Sequence, residues 1–548
     1  MHAMLYLLLS LASASLAIRA RDPLHITSRH SGKPDPQGQI QIAKREAPPG
    51  TEDNPAIGYF EQPIDHHNPS LGTFKMRYSW SNEFWKGPGS PIVLWLPGET
   101  DASPFYLWYG NYSSTEFYFS QGQLASNLGA AYVVLENRYY GESSPYPELT
   151  TANLKYLTFD QVMRDTVNFA KNVKLPFAAN STASDVPWVL AGGSYSGVIT
   201  VDIATKLPGT FWAYWATSAA VHSELEYWRQ SDSFLKAGPK NCTKDVAQVI
   251  DYIDSVLLNG SQKEIDVLKA NFGLQNLTHN EDFVNTLSGD PELWLNVQFD
   301  INAAPDGVWN PATRNYTHSK LPGIEGVGVE KALKNWGNWV KNYRLPGMCK
   351  DGFGKHYPGL YSENSTYCED SYDPNNPFYT DISVGNPWNR QYLWFECNEA
   401  IGGWTAGAPK GTPSLISRLL DVKYGYHMCE MLFPKGPNGE TYGLRTVDQF
   451  NEYWGGWNIG NTTRLLIANG EYDYWRPTTF ASEVRPGGPL QSTAQLPAYL
   501  VPGGYHCSDS LYYRNARRNE PVRMVIHEIL AQLEAWVKEW PGKKGSSS

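Results

Sequence analysis

The chain has 548 residues, of which 41% are apolar and 18% charged, and its formal net charge is -10. That composition excludes a disordered chain and a basic nucleic-acid surface, and the length points to more than one structural unit. The 20 Trp, 34 Tyr and 20 Phe predict a large core and fit an aromatic-lined site that grips an apolar group.

The first element is a targeting segment. Residues 4–12 are almost wholly apolar and Ser15-Leu16-Ala17 fits a signal-peptidase site, so residues 1–17 read as a signal peptide. The stretch is too short to span a bilayer, and no later stretch could do so. The C-terminal Gly-Lys-Lys-Gly-Ser-Ser-Ser carries neither a lipid-anchor tail nor a retention signal. A secreted protein with no membrane association is expected. Residues 18–45 are polar, lack periodicity and end on Lys44-Arg45, which predicts a trimmed pro-segment; the plainer reading is an unstructured arm. Eight sequons, at Asn111, Asn180, Asn241, Asn259, Asn276, Asn315, Asn364 and Asn461, predict glycosylation in an exported chain. The six cysteines are Cys242, Cys349, Cys368, Cys397, Cys429 and Cys507. With no CxxC pair, they predict disulfides rather than a metal site, and their spacing does not choose a pairing.

Ordered patterning begins near Tyr59-Phe60-Glu61. Residues 91–96, 131–136 and 188–191 are continuous apolar runs, as expected of strands buried on both faces. A helical period over residues 159–173 precedes the third run, so a parallel α/β sheet is predicted. Residues 46–224 form the first part of this unit. From 225 to 444 the pattern turns helical, as at 246–258 and 263–272, and holds every cysteine but Cys507. A mainly helical insertion stapled by disulfides is predicted. The sheet pattern resumes over 445–548, with strands at 464–468 and 499–501. A closing helix with a 3.6-residue apolar period follows Pro521.

The motif that carries chemistry is Gly192-Gly193-Ser194-Tyr195-Ser196-Gly197, between a buried strand and the helical stretch 198–206. That is the setting of a nucleophile elbow, whose tight turn needs small residues two before and two after the serine. Ser196 departs from the usual glycine but is still small. A helix N-terminus favours developing negative charge, and the Tyr195 N–H is expected to be one oxyanion donor. Alone, the string also fits a glycine-rich turn without chemistry.

Partners follow in order. Glu471 and Asp473 come just after the strand at 464–468, and His506 just after that at 499–501. Serine, acid and histidine in that order, at strand C-terminal ends, define an α/β-hydrolase fold. His506 would take and return the proton, and Asp473 would hold the imidazole. Glu471 competes for that role, whereas Asp509 reads as a loop carboxylate. The Gly98–Glu99 backbone, in the loop after the strand at 91–96, is the candidate second oxyanion donor; the plainer reading is a strand-ending turn. Asp65-His66-His67 lacks a third ligand at metal spacing, so a hydrogen-bonded role is expected. No metal or cofactor is expected.

These residues resemble the serine peptidase family of lysosomal Pro-Xaa carboxypeptidase and dipeptidyl peptidase II, most closely its secreted fungal acid prolyl endoproteases. The resemblance runs through nearly the whole mature chain. It includes Asp65-His66-His67-Asn68-Pro69, residues 136–143, Gly192 through Gly197, Arg485-Pro486-Gly487-Gly488-Pro489-Leu490 and Pro502 through Asp509. It implies the triad Ser194, Asp473 and His506, a helical cap over the site, and cleavage after proline in peptides or proteins. Ser196 matches its fungal branch. Asn137 replaces a usual histidine, and Tyr474 a frequent proline. Trp475 is a candidate wall for the proline ring, with a buried core ring as the equal alternative. The function implied is a secreted serine endopeptidase working through an acyl-enzyme at acid pH. An exopeptidase of the same family is the alternative. A catalytically inactive glycosylated binding protein is a third reading, and the complete triad argues against it.

Overall fold

The apolar runs pair side by side. Strands β1 (Ala56–Pro63), β2 (Thr73–Ser81), β3 (Ile92–Leu96), β4 (Ala131–Leu135), β5 (Trp188–Gly193) and β6 (Ala213–Thr217) precede the helical region. Within that region β7 (Glu226–Tyr227) and β8 (Trp404–Thr405) form a separate pair, and β9 (Leu465–Gly470) and β10 (Ala498–Val501) follow it. Among the described residues the main sheet has eight strands in the order β1-β2-β4-β3-β5-β6-β9-β10. The strands from β4 to β10 run parallel, while β1 on β2 and β2 on β4 are antiparallel. The parallel prediction therefore holds for the centre, and an antiparallel pair extends one edge. This is a computed structural model, and it describes residues 56–103, 119–295, 323–510, 515–516 and 519–542. The signal peptide, the pro-segment, Asn111 and Asn315 lie outside the described residues.

Strands β3, β4, β5, β6 and β9 are buried at every position, because helices cover both faces. Alternate residues feed two cores. Ile92, Leu94 and Leu96 join the core of the helices Phe159–Asn172 and Tyr195–Lys206, whereas Val93 and Trp95 join that of Ser120–Leu128 and Glu520–Lys538. The last helix is capped by the Asn519 side chain, which accepts from the Val522 N–H at 3.2 Å. It buries Val522, Ile526, Ile529, Leu530 and Leu533 on the sheet. The arrangement is the α/β-hydrolase fold with a helical insertion between β6 and β9. β6 itself has no counterpart among the predicted strands. Ala213-Tyr214-Trp215-Ala216-Thr217 is short and carries no β-branched apolar residue, and its pairing with β5 and β9 makes it a strand.

In the insertion, the predicted helices are Lys240–Asn259 and Gln262–Phe272. Cys349–Cys368 and Cys397–Cys429 are disulfides; Cys242 is in neither bridge, and Cys507 keeps a buried thiol. The helix Arg390–Glu399 is buried along its whole length. Its Phe395 ring lies 5.2 Å from both Tyr195 and Phe159, so an aromatic cluster ties the insertion to the helix that follows Ser194. Asn180, Asn259, Asn276, Asn364 and Asn461 are exposed, while Asn241 is half-buried and its side chain donates to the Gly323 carbonyl. Among the described residues no helix is long and apolar enough to cross a membrane.

One buried ion pair locks the first helix of this face to the sheet edge. Arg138 donates to Asp165 at 2.5 and 2.8 Å, and also to the carbonyls of Pro63, Ile64 and Tyr156. His66 meets the same carboxylate at 2.8 Å and His67 meets Asp160 at 2.6 Å, the hydrogen-bonded roles expected of that pair. Asp165→Ala would leave the Arg138 guanidinium buried without its counter-charge. It is expected to destabilise the fold by about 3–5 kcal/mol, measured by urea unfolding, with Asp165→Asn in between.

Candidate active site

The site begins as a steric problem. A side chain at Gly192 would put its Cβ 2.2 Å from the Ser196 carbonyl oxygen, and one at Gly197 would meet the Thr217 carbonyl at 2.7 Å. The chain therefore turns so sharply that Ser194 adopts φ 56° and ψ -124°, a strained conformation for a residue with a side chain. The turn demands glycine at 192 and 197, and position 196 tolerates serine because only its backbone approaches Gly192. Ser194 sits between β5 and the helix Tyr195–Lys206, and its N–H donates to the Thr217 carbonyl at 2.9 Å.

Neighbouring strands bring the other groups. β6 lies between β5 and β9, and β10 pairs with β9. The Ser218 hydroxyl accepts from the Cys507 N–H at 2.8 Å, next to the Thr217 carbonyl that holds Ser194. A Cβ on Gly193 would lie 3.1 Å from the Cys507 sulfur, so the residues flanking Ser194 and His506 pack together. Ser218 and Cys507 share the positive φ of Ser194, at 49° and 55°. His506 Nδ1 and Asp473 Oδ1 are 2.9 Å apart, and the same oxygen accepts from the Trp475 N–H. Glu471 points elsewhere: its carboxylate accepts from the Gly503 N–H at 2.8 Å. Asp509 accepts from the Trp215 indole at 3.0 Å and from the Thr217 hydroxyl, which pins the histidine loop to β6.

The insertion holds the acid loop from the other side. The Ser233 hydroxyl donates to the Asp473 carbonyl at 2.6 Å, and Tyr227 donates to the Tyr474 carbonyl. The Trp475 ring stacks on Tyr227 at 4.6 Å and is nearly wholly buried, the packing of a core ring on that face. Tyr474, where a proline was the usual residue, lays its ring 5.2 Å from His506. Asn137 donates to the Tyr195 hydroxyl at 3.2 Å.

Leu96 of β3 is in register with Gly192, so the loop after β3 arrives beside the elbow. Gly98, at φ 96°, and Tyr195 border one cavity of about 20 Å³. Glu99 is 1% exposed and neither carboxyl oxygen has a hydrogen-bond partner among the described residues. Burial pushes its pKa up to about 8, against the attraction of His506. For His506, burial disfavours the charged ring. The Asp473 carboxylate and Cys507 outweigh it and hold the imidazole well above the usual histidine value. Sequence reasoning missed Asn389 altogether. At φ 53° it caps the buried helix Arg390–Glu399, donates to the Glu99 carbonyl at 3.2 Å and accepts from the Tyr140 hydroxyl at 3.0 Å. No motif marks it; an asparagine before a helix signals only a cap.

A strained serine, a buried imidazole and a carboxylate at one sheet edge of an α/β-hydrolase are the groups of a serine-type peptidase. Residues 62–527 match the family described as Serine carboxypeptidase S28, and the chain belongs to that family. It is 36% identical over 492 residues to "Serine protease vicPb" of Bipolaris victoriae, covering 88% of this chain and 89% of the relative. To the "Probable extracellular serine carboxypeptidase" of Arthroderma benhamiae it is 28% identical, covering 87% and 67%. To the "Lysosomal Pro-X carboxypeptidase" of Pongo abelii it is 26% identical, covering 96% and 95%. The protein is a serine-type peptidase, and its substrates are peptides.

Two outcomes follow from this geometry. Asn389→Gly keeps the left-handed backbone available and removes the side-chain bonds to the Glu99 carbonyl in the loop after β3 and to the Tyr140 hydroxyl in the loop after β4. It is expected to lower kcat about tenfold with KM little changed, read from initial rates on a peptide substrate. Burial also raises Glu399 and Asp282 to about 7 and Asp509 to about 6, alongside Glu99. These carboxyls stay protonated in the folded chain at pH values where the unfolded chain has released the proton. Folding therefore binds protons, and stability is full at about pH 4 and falls as pH rises toward about 8. The thermal midpoint is expected to drop steadily across that range in a pH series.

Proposed function

We propose that the protein is a secreted serine endopeptidase that cleaves on the carboxyl side of proline through an acyl-enzyme. The observation that carries the mechanism is the 2.9 Å bond between Asp473 and His506 at the edge where Ser194 is strained. In this reading His506 accepts the Ser194 proton as the hydroxyl attacks the carbonyl, then gives it to the leaving amine. Asp473 fixes the tautomer and stabilises the imidazolium. Water repeats the sequence to release the acyl group. The N–H groups of Tyr195 and of the Gly98–Glu99 backbone receive the oxyanion.

Preference for proline is supported by the name of the Pro-X carboxypeptidase relative. Endopeptidase action is supported by a cavity of about 490 Å³ that begins at Glu99, room for chain beyond one terminal residue. Secretion is supported by residues 1–17 and by the extracellular name of the fungal relative. The names of the two carboxypeptidase relatives favour a second reading, an exopeptidase that removes C-terminal residues.

Cleavage-site mapping on a long, end-blocked peptide with internal prolines separates the two. Cuts after proline are expected, and an intact peptide would establish the exopeptidase. Ser194→Ala is expected to reduce the rate by about 10⁴-fold or more; undiminished cleavage would refute the mechanism. Glu99 bears on the upper pH limit of this activity. Its neutral carboxyl suits a site that gathers negative charge, and its ionisation near pH 8 opposes that charge. The pH–rate profile is expected to fall above about pH 8, and Glu99→Gln to move that limb upward.

A further inference from the structure

The cavity that begins at Glu99 runs between the two parts of the molecule. Glu99, Asp101 and Tyr140 line it from the sheet side, and Phe353, Lys355 and His356 from the insertion. Its volume of about 490 Å³ is that of a ligand site, since such pockets hold roughly 300–1,000 Å³. The charges along it are uneven. Asp101 pairs with Arg77 at 2.7 Å, a guanidinium it shares with Glu136 and Glu142. Asp351 lies in the same wall as Lys355 and is the acid that would compete with a ligand there. Lys355 and His356 are adjacent and exposed, and among the described residues neither side chain has an ion-pair or hydrogen-bond partner. The wall behind them is rigid: Phe353 stacks on the fully buried Trp388 at 3.8 Å.

A lone surface lysine is ordinarily a solvated charge. Here the ammonium and an imidazole N–H donor stand together on the wall of a cavity that is also lined by Glu99, next to Gly98 in the loop after β3, on a chain of net charge -10. A cleft wall focuses such a field on whatever lies in the cavity. We infer that Lys355 and His356 form a subsite that receives a carboxylate of the bound peptide and so set substrate preference. The ligand group is either the side chain of an aspartate or glutamate or the free α-carboxylate of the peptide. The inference rests on the peptidase reading above.

The test uses the full-length enzyme and four sets of peptides built on one parent sequence with a single proline. The first is uncharged and blocked at both ends. The second carries glutamate at each position in turn, the third carries glutamine there, and the fourth has a free C-terminus. The wild-type enzyme is expected to favour a carboxylate-bearing peptide over the neutral one by roughly three- to tenfold in kcat/KM, mainly through KM. The preference should shrink at high salt. Lys355→Gln with His356→Gln should erase it and leave the neutral peptide cleaved within about twofold of wild type. A response confined to the glutamate series assigns a side-chain carboxylate, and one confined to the free C-terminus assigns the α-carboxylate. Equal treatment of all peptides by the wild-type enzyme, or an equal loss on all of them in the variant, overturns the subsite. Cleavage away from proline overturns only the proline preference, because the same comparison can be run on whichever bond is cut.

Discussion

The close approach of Gly192 to the Ser196 carbonyl governs the rest of the molecule. No side chain fits there, so the chain reverses within a few residues and lifts Ser194 into a left-handed conformation. Such strain persists only where the surroundings over-determine it. They do so here through the Thr217 carbonyl below the serine, the Gly197 backbone against that same residue, and the Phe159, Tyr195 and Phe395 rings around the following helix. Phe395 comes from the insertion, so the elbow is braced by chain two hundred residues downstream.

The parallel order of β3, β5, β6 and β9 turns this local strain into a site. Each strand ends at the same edge, so the loops bearing Glu99, Ser194, Ser218 and Asp473 meet there, and β10 adds His506. Cross-bonds then fix the loops against one another: Ser218 to Cys507, Asp509 to Trp215 and Thr217, Asn389 to Glu99. The cost is a set of carboxyls removed from water. Glu99 and Asp509 belong to the edge itself, while Glu399 and Asp282 lie in the insertion, and burial raises all of them. Carboxyls raised in this way make the folded chain bind protons that the unfolded chain releases.

Much of this was legible from residue order. Apolar runs located β3, β4, β5 and β9 because strands covered on both faces have no polar side to interrupt them. The elbow was legible because its geometry permits so few residue types. β6 was not, since its alanines and threonine acquire strand character only from β5 and β9 on either side. Asn389 was not, because nothing local shows that its side chain reaches a loop 290 residues away. The cysteine count pointed to disulfides, yet only distance in the fold selects Cys349–Cys368 and Cys397–Cys429 and leaves Cys507 beside His506.

By itself, the sequence determined the class of fold, the serine in its turn, and an ordered acid and histidine, because these follow from local sterics and from where strands end. The choice between Glu471 and Asp473 at His506 was open to the spacing of the residues alone. In space a Gly503 N–H engages Glu471, while Asp473, held by Ser233 and Trp475, is the carboxylate that meets His506. The Glu99 carboxyl, without a hydrogen-bond partner among the described residues, and the cavity lined by Glu99, Lys355 and His356 belong wholly to the tertiary structure. Burial and long-range charge are properties of the neighbours a residue acquires on folding, and no stretch of chain carries them alone.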